Sequence, residues 1–411
     1  MRASRFLLLL VLCAPLAAQP VAFGSSDDPL EWGSTLRPED GLAVGAGVGP
    51  AYLPDEWRAG AHASLDASTG RFSLGLGQTI HSGDSGLYGP EDDELYDLTR
   101  VLRYARWNAV PGQASYARLG PTQRVSLGVG ALVSRYRTTT AWDERRIGAE
   151  GSAGTRTVRA TAFVDDVLRA DGIVGGEVTL RSGLRVGPVT DLGLTLGGVH
   201  DLGQSGLSGD SSLTGVEATV RGAYAGLGPV LLRPFVTHAQ YLGKGGTVGV
   251  GVDVGAPNIG DQARARARVA VFASSGRFVP GHVGPFYSIS NATDRIVDDG
   301  SFYAPGVASE LAGTPLDSLS GGVDLVADLR LIVFGRLEVS QYARRHIGDE
   351  RASSYSLRLA ARLPDNGLVE FGLERQDFRG FFDLIQDLGA LNTLVLNVHV
   401  PVGNRGMVFV R

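Results

Sequence analysis

Period-two alternation is the feature that most restricts what this chain can fold into. From Ala263 to Val271, Ala263, Ala265, Ala267, Val269 and Val271 fall on one face and Arg264, Arg266 and Arg268 on the other. Successive side chains of an extended strand point to opposite faces, so such a segment has one apolar and one polar surface. The same pattern runs through Arg71 to Gly77, Val125 to Val133, Val216 to Val220, Leu357 to Leu363, Val369 to Leu373 and Leu394 to Val400. Roughly eighteen segments of about 7–12 residues read this way, the length a tilted strand needs to cross a bilayer. Helical periodicity is nearly absent, with one short helix expected over 378–388. No segment holds eighteen consecutive apolar residues, so no helical span is expected.

Charges sit in mid-strand on the polar faces, and the apolar faces carry almost none. Lipid contact requires that separation, because an arginine or lysine at the bilayer midplane costs about 2–4 kcal/mol on the lipid side. Aromatic residues recur near segment ends, as at Trp57, Phe72, Tyr104, Trp107, Tyr136, Tyr224, Tyr241, Tyr342 and Phe409, where amphipathic rings suit the membrane interface. In hydrocarbon only a closed barrel pairs every backbone group of a sheet. A soluble sandwich also alternates, but it has no need for so clean a division. No repeat of propeller length is visible. The expected fold is all-β, a single transmembrane antiparallel β-barrel of about 16–18 strands over 19–411.

Residues 1–18 read as a signal peptide. Arg2 and Arg5 precede the apolar run Phe6 to Leu12, and Leu16-Ala17-Ala18 offers small residues before a cut near Gln19. The chain's one cysteine, Cys13, lies in this segment, so disulfides and cysteine metal sites are not expected in the mature chain. The net charge of -5 and the lack of any basic block argue against a nucleic-acid partner. The 58 glycines are about twice the usual share, but with an ordinary 19 prolines the chain is neither collagen nor a Pro-rich linker.

Tight turns are expected at Asp66 to Gly70, Ala225 to Gly228 and Pro364 to Gly367. Long polar connections are expected over 81–97, 137–155, 274–320 and 376–390, with another from Asp201 to Leu213. Short turns on one rim and long loops on the other are typical of outer-membrane barrels. The alternation of rims fails once, at 137–155, unless a strand near 115–119 is misassigned.

With its leader, alternating strands and two loop sizes, the chain resembles porin-like bacterial outer-membrane β-barrel proteins. Arg118-Leu119-Gly120, the run Ser126 to Gly130 and Phe163-Val164-Asp165-Asp166 are similar to segments of Bacteroidota-type barrels. Such barrels often end in an aromatic residue, whereas this chain ends Phe409-Val410-Arg411. The resemblance implies an outer-membrane passive channel for small polar solutes. The alternatives are a non-conducting barrel with a structural, adhesive or assembly role and, further off, a barrel-embedded hydrolase. The expected partners are outer-membrane lipid and small polar solutes, with homo-oligomerisation left open. No cofactor is implied.

The row Arg264, Arg266, Arg268 is the most specific local feature. Lumen-lining residues are expected to be these three with Glu217, Arg221, Asp324, Asp328, Arg336, Glu338, Arg358, Arg362, Glu370 and Glu374. Opposed charge rows in a pore set a transverse field and tune ion selectivity. They can equally be wall-stabilising ion pairs. Glu91 to Glu94 lacks the spacing of a calcium loop and reads as solvated. The seven histidines are scattered without metal-ligand spacing. His200-Asp201 with Ser205 nearby is the one arrangement compatible with hydrolysis, and it has no supporting motif, so no enzyme is expected.

Overall fold

The computed structural model describes residues 41–53, 56–69, 71–83, 86–87, 101–107, 115–122, 125–136, 138, 146–155, 157–168, 172–201, 213–227, 230–259, 263–284, 320–334, 336–347, 353–362, 368–376, 393–402 and 406–410, with side chains over most of 63–361. The expected leader 1–18, the run Glu91 to Glu94, Ser205 and the expected helix at 378–388 lie outside these residues.

The described residues form twenty strands and no α-helix. In chain order they are β1 (Gly41–Leu53), β2 (Glu56–Thr69), β3 (Phe72–Gly83), β4 (Gly86–Leu87), β5 (Leu102–Trp107), β6 (Tyr116–Gly120) and β7 (Gly148–Gly154). Next come β8 (Val158–Val164), β9 (Ile173–Arg181), β10 (Val189–Asp201), β11 (Thr214–Leu227), β12 (Val230–Tyr241), β13 (Gly246–Ile259) and β14 (Ala263–Ser274). The last are β15 (Gly322–Val333), β16 (Leu337–Ile347), β17 (Ser354–Arg362), β18 (Leu368–Gln376), β19 (Thr393–Val402) and β20 (Gly406–Val410). Apart from the two-residue β4, which pairs only with β3, each strand pairs antiparallel with the next. β20 pairs in parallel with β1, from Val44↔Gly406 to Gly47↔Phe409. An odd number of strands in the ladder gives that parallel seam. The all-β, single-sheet fold is as expected, and the strand count is higher because β5 to β8 are short and weakly patterned.

The strand ends sort the connections into two sets. One rim carries 84–101, 121–147, 202–213, 275–321 and 377–392. The other carries only short turns, among them 155–157, 228–229, 260–262, 334–336 and 363–367. The rim conflict at 137–155 has a specific cause. Val125 to Val133, expected as a strand, is part of an inward-folded connection between β6 and β7 and makes only isolated bridges, Val125↔Tyr136 and Val133↔Val283. Gly148–Gly154, inside the expected loop, is β7. One strand removed and one added restore a clean alternation of rims.

The outward face is apolar. Val220, Val236, Val248, Val250 and Val269 are each more than half exposed on neighbouring strands. From Val216 to Val333 the outward register positions of β11 to β15 carry no charge. A contiguous apolar surface of this kind would be unstable in water and is what a bilayer requires. Among the described residues no helix is long and apolar enough to cross a membrane.

The core sits inside the ring. Leu127, Val129, Ala131, Leu132, Val133 and Tyr136 of the inward connection are buried with Phe278, Val279 and Val283 of a second inward segment. They pack against Phe163, Phe235, Tyr241, Phe272 and Val326 of the inner wall.

Candidate functional site

The inward connection makes a tight turn at Leu127 to Gly130, where the Gly130 amide donates to the Leu127 carbonyl at 2.8 Å. Gly128 and Gly130 have φ of 56° and 83°, the left-handed region where a side chain is strained. Gly128 also has no room for one, since a Cβ there would lie 2.1 Å from Glu217 Oε1.

Charged groups of the wall hold this turn by its backbone. Glu217 on β11 accepts from the amides of Val129 at 2.9 Å and Leu132 at 3.4 Å. Glu177 on β9 accepts from the amide of Gly128. Arg268 on β14 donates to the Val129 carbonyl at 2.8 Å, and Arg221 on β11 to the Gly128 carbonyl at 3.3 Å. Asp253 on β13 orients Arg268 through two bonds, at 2.6 and 3.1 Å. A buried turn has orphan amides and carbonyls, and these side chains satisfy them where water is excluded. Thr219 and Thr237 extend the network, at 2.7 Å from each other and with Thr219 donating to Glu217 at 3.0 Å.

The far end of the inward connection is tied to other parts of the wall. Arg135, at φ 56°, donates to Asp328 and Ser340 at 3.2 Å each and to Ser356 at 3.3 Å, reaching β15, β16 and β17. Its guanidinium lies over the Tyr342 ring, 4.9 Å from the centroid. Tyr136 donates to Asp165 at 2.5 Å, and Arg146 donates to the same carboxylate at 3.1 Å. Burial raises the Asp165 pKa above its ordinary value despite the Arg146 charge and the Tyr136 bond, which favour the ionised form. The second inward segment is held by Arg344, which donates to the Pro280 carbonyl. There, removal from solvent lowers the His282 pKa to about 3, with Arg344 and Lys244 acting in the same direction.

A small cavity of about 30 Å³ remains between the inward connection and the wall, bordered by Ser126, Arg268, Phe272, Asp328 and Tyr342. That is room for one or two water molecules.

The lumen-lining candidates fall in different settings. Glu217, Arg221, Arg268 and Asp328 all bond to the inward connection. Arg264 and Arg266 share the inner face of β14 with the buried Phe272 and are exposed, toward the short-turn rim. Asp324 and Glu338 are buried in wall pairs: Asp324 lies 3.1 Å from His346 Nδ1, and Glu338 lies 3.6 Å from Arg330 Nε. Arg358 is buried on β17, in register with Ser340. Arg336 lies in the turn between β15 and β16, its amide bonded to the Val333 carbonyl at 3.0 Å. The side chains of Arg362, Glu370 and Glu374 lie outside the described residues.

Sequence reasoning missed Arg135, Glu177, Asp253, Arg330 and His346. Asp253 was the most findable, a lone acid in the Gly–Val alternation of β13.

His200 and Asp201 point to opposite faces, as neighbours on a strand do. The His200 Nδ1 contacts Thr214 Oγ1 at 2.8 Å. Among the described residues no group of three or more acids, histidines or cysteines is placed to hold a metal.

An apolar outward belt, a hydrogen-bonded ladder that returns to its first strand and a polar inner wall define an outer-membrane-type β-barrel protein. No protein-family model and no curated protein sequence matches the chain. Among solved structures it is similar to Wzi of Escherichia coli, a carbohydrate-binding outer-membrane β-barrel involved in group 1 capsule assembly. That likeness has 11% identity over 81% of this chain and 79% of the other, with a TM-score of 0.39. It is also similar to OprB of Pseudomonas putida, at 12% identity over 74% and 86% of the two chains and a TM-score of 0.31. A third likeness, to the outer-membrane channel DcaP of Acinetobacter baumannii, has 9% identity over 80% and 92% and a TM-score of 0.30.

Proposed function

We propose that this chain is an exported outer-membrane barrel whose lumen is occluded by its own inward segments. It is a non-conducting barrel in the resting state, with a structural, adhesive or assembly role and no catalysis. The observation that carries the reading is the burial of Leu127, Ala131, Leu132 and Val133, each at 1% exposure or less, against wall aromatics inside the ring. A water-filled pore of this strand number would leave such side chains wet. The leader 1–18 supports export, and the outward belt makes outer-membrane lipid the partner of the wall.

A second reading, a passive channel for small polar solutes, draws on the exposed Arg264 and Arg266. Planar-bilayer conductance separates the two. The occluded barrel predicts silence for the unaltered protein, and discrete steps once Leu127 to Val133 are replaced by a Gly-Ser linker. Steps from the unaltered protein would establish the channel instead.

A further inference from the structure

The wall groups that seat the inward turn address its main chain. In register, the row Thr161, Glu177, Gly197, Glu217, Ala239 crosses β8 to β12. Gly197 separates the two carboxylates by two strand spacings, about 9.6 Å between backbones, so they take the turn's amides from two sides. Glu177 accepts from Gly128, and Glu217 from Val129 and Leu132. Arg221 and Arg268 donate to the carbonyls of Gly128 and Val129. Each of these bonds ends on a backbone atom, so the seat offers acceptors for N–H groups and donors for C=O groups. One side-chain position is also selected. A Cβ at position 128 would lie 2.1 Å from Glu217 Oε1, and Gly128 and Gly130 both have left-handed φ, so the seat takes Gly-X-Gly.

Two observations set this seat apart from ordinary packing. Charges are costly to desolvate, and apolar residues such as Phe235, Phe272 and Val326 fill the space beside it without that cost. Glu217 and Asp253 are nonetheless buried, and the buried Nε of Arg221 has no hydrogen-bond partner among the described residues, a donor that the turn leaves unused. The turn also belongs to no ladder. It makes only isolated bridges, while β9 to β14 pair continuously behind it. It can leave the seat with every wall strand still paired.

We propose that the seat is a binding site for a glycine-turn peptide supplied in trans, a Gly-X-Gly segment with apolar flanks that replaces the chain's own turn. The flanks are required by the buried places that Leu127, Leu132 and Val133 fill inside the ring. The proposal rests on the occluded-lumen reading, in which the chain's own turn is the resting occupant.

The probe is a fluorescein-labelled peptide of residues 124–137, and the readout is its anisotropy with the refolded full chain in detergent. In one variant serines replace Leu127 to Val133, and a serine cannot take the place of Gly128. The peptide should bind this variant at least tenfold more tightly than the unaltered chain, whose seat is filled. A Gly128→Ala peptide should bind the variant at least tenfold more weakly than the parent peptide. Adding Glu217→Ala to the variant should narrow that gap, because the carboxylate that the methyl group meets is gone. Gly128→Ala in the full chain is a milder change and should also admit the parent peptide better than the unaltered chain does, so the test stands if the serine variant fails to fold. Equal binding of the parent peptide to the altered and unaltered chains, or equal binding of the two peptides, would overturn the proposal. Bilayer conductance of the unaltered protein judges the occluded lumen separately, since peptide selectivity and silence can each fail alone.

Discussion

The guanidinium of Arg268 donates to the carbonyl oxygen of Val129 at 2.8 Å, joining the wall at β14 to a turn 139 residues earlier in the chain. Asp253 fixes that guanidinium from the neighbouring strand. Breaking a buried pair by removing one partner leaves an uncompensated charge, at a cost of about 3–5 kcal/mol. Arg268→Met should therefore lower unfolding stability in lipid vesicles by about that amount. Asp253→Asn/Arg268→Met should cost less than the sum of the single changes, because neither charge is then stranded. Urea titrations of the three variants decide this.

Gly128 offers a sharper probe of the inward turn. Gly128→Ala meets both a left-handed backbone and Glu217, whereas Gly187→Ala, at φ 59°, meets the same backbone strain in open space. Strain of this kind costs about 1–3 kcal/mol. Gly128→Ala should destabilise by clearly more than Gly187→Ala, and the difference measures the close fit of turn to wall.

The outward belt predicts an asymmetry across a single strand. Val269→Arg places a charge against acyl chains and should cost about 2–4 kcal/mol of folding into lipid. Arg266→Gln, one face away, should fold as the unaltered protein does. Folding yields into vesicles of defined composition, read by the gel shift between folded and boiled samples, test the pair.

Acid should act on the two inward segments in opposite directions. His282 is held neutral, with its folded pKa lowered from 6.5 to about 3. Its contribution is present above the unfolded value and is lost as pH falls through that interval. Asp165 has a raised folded pKa, so its contribution is complete below the unfolded value of 3.8 and is lost as pH rises through the folded one. Between pH 7 and pH 4, His282→Gln should lose less stability than the unaltered chain. Over the same interval the unaltered chain should gain relative to Asp165→Asn. Denaturation midpoints at the two pH values give both signs.

Much of the wall was legible because β9 to β17 are long enough for period two to dominate, and Val216, Val250 or Val269 can only face outward once Glu217, Gly251 and Arg268 face in. The inward connection defeated the same rule. Val125 to Val133 alternates because its apolar residues pack between wall side chains, so the period is there without a ladder partner. The glycines at 128 and 130 carried the contrary signal, since glycine inside a strand pattern marks a bend or close approach. The failed rim alternation was its second trace. Ion-pair partners such as Asp253 for Arg268 depend on register across the sheet, which local pattern does not contain. Arg264 and Arg266 share one face of β14 for the simplest reason, an unbroken alternation with alanine.

The most direct test of the inward fold joins its two segments. Val133 and Val283 are bridge partners, and neighbouring extended chains lie about 4.8 Å apart. That spacing is within the span of a disulfide. Cys13 is the chain's one cysteine, so a Cys13→Ser background leaves no competing thiol. In the membrane-inserted protein, Val133→Cys/Val283→Cys should oxidise to a single intramolecular disulfide, with each single variant shielded from a water-soluble maleimide. Thiols that stay reduced and label at the rate of an exposed loop would contradict the account.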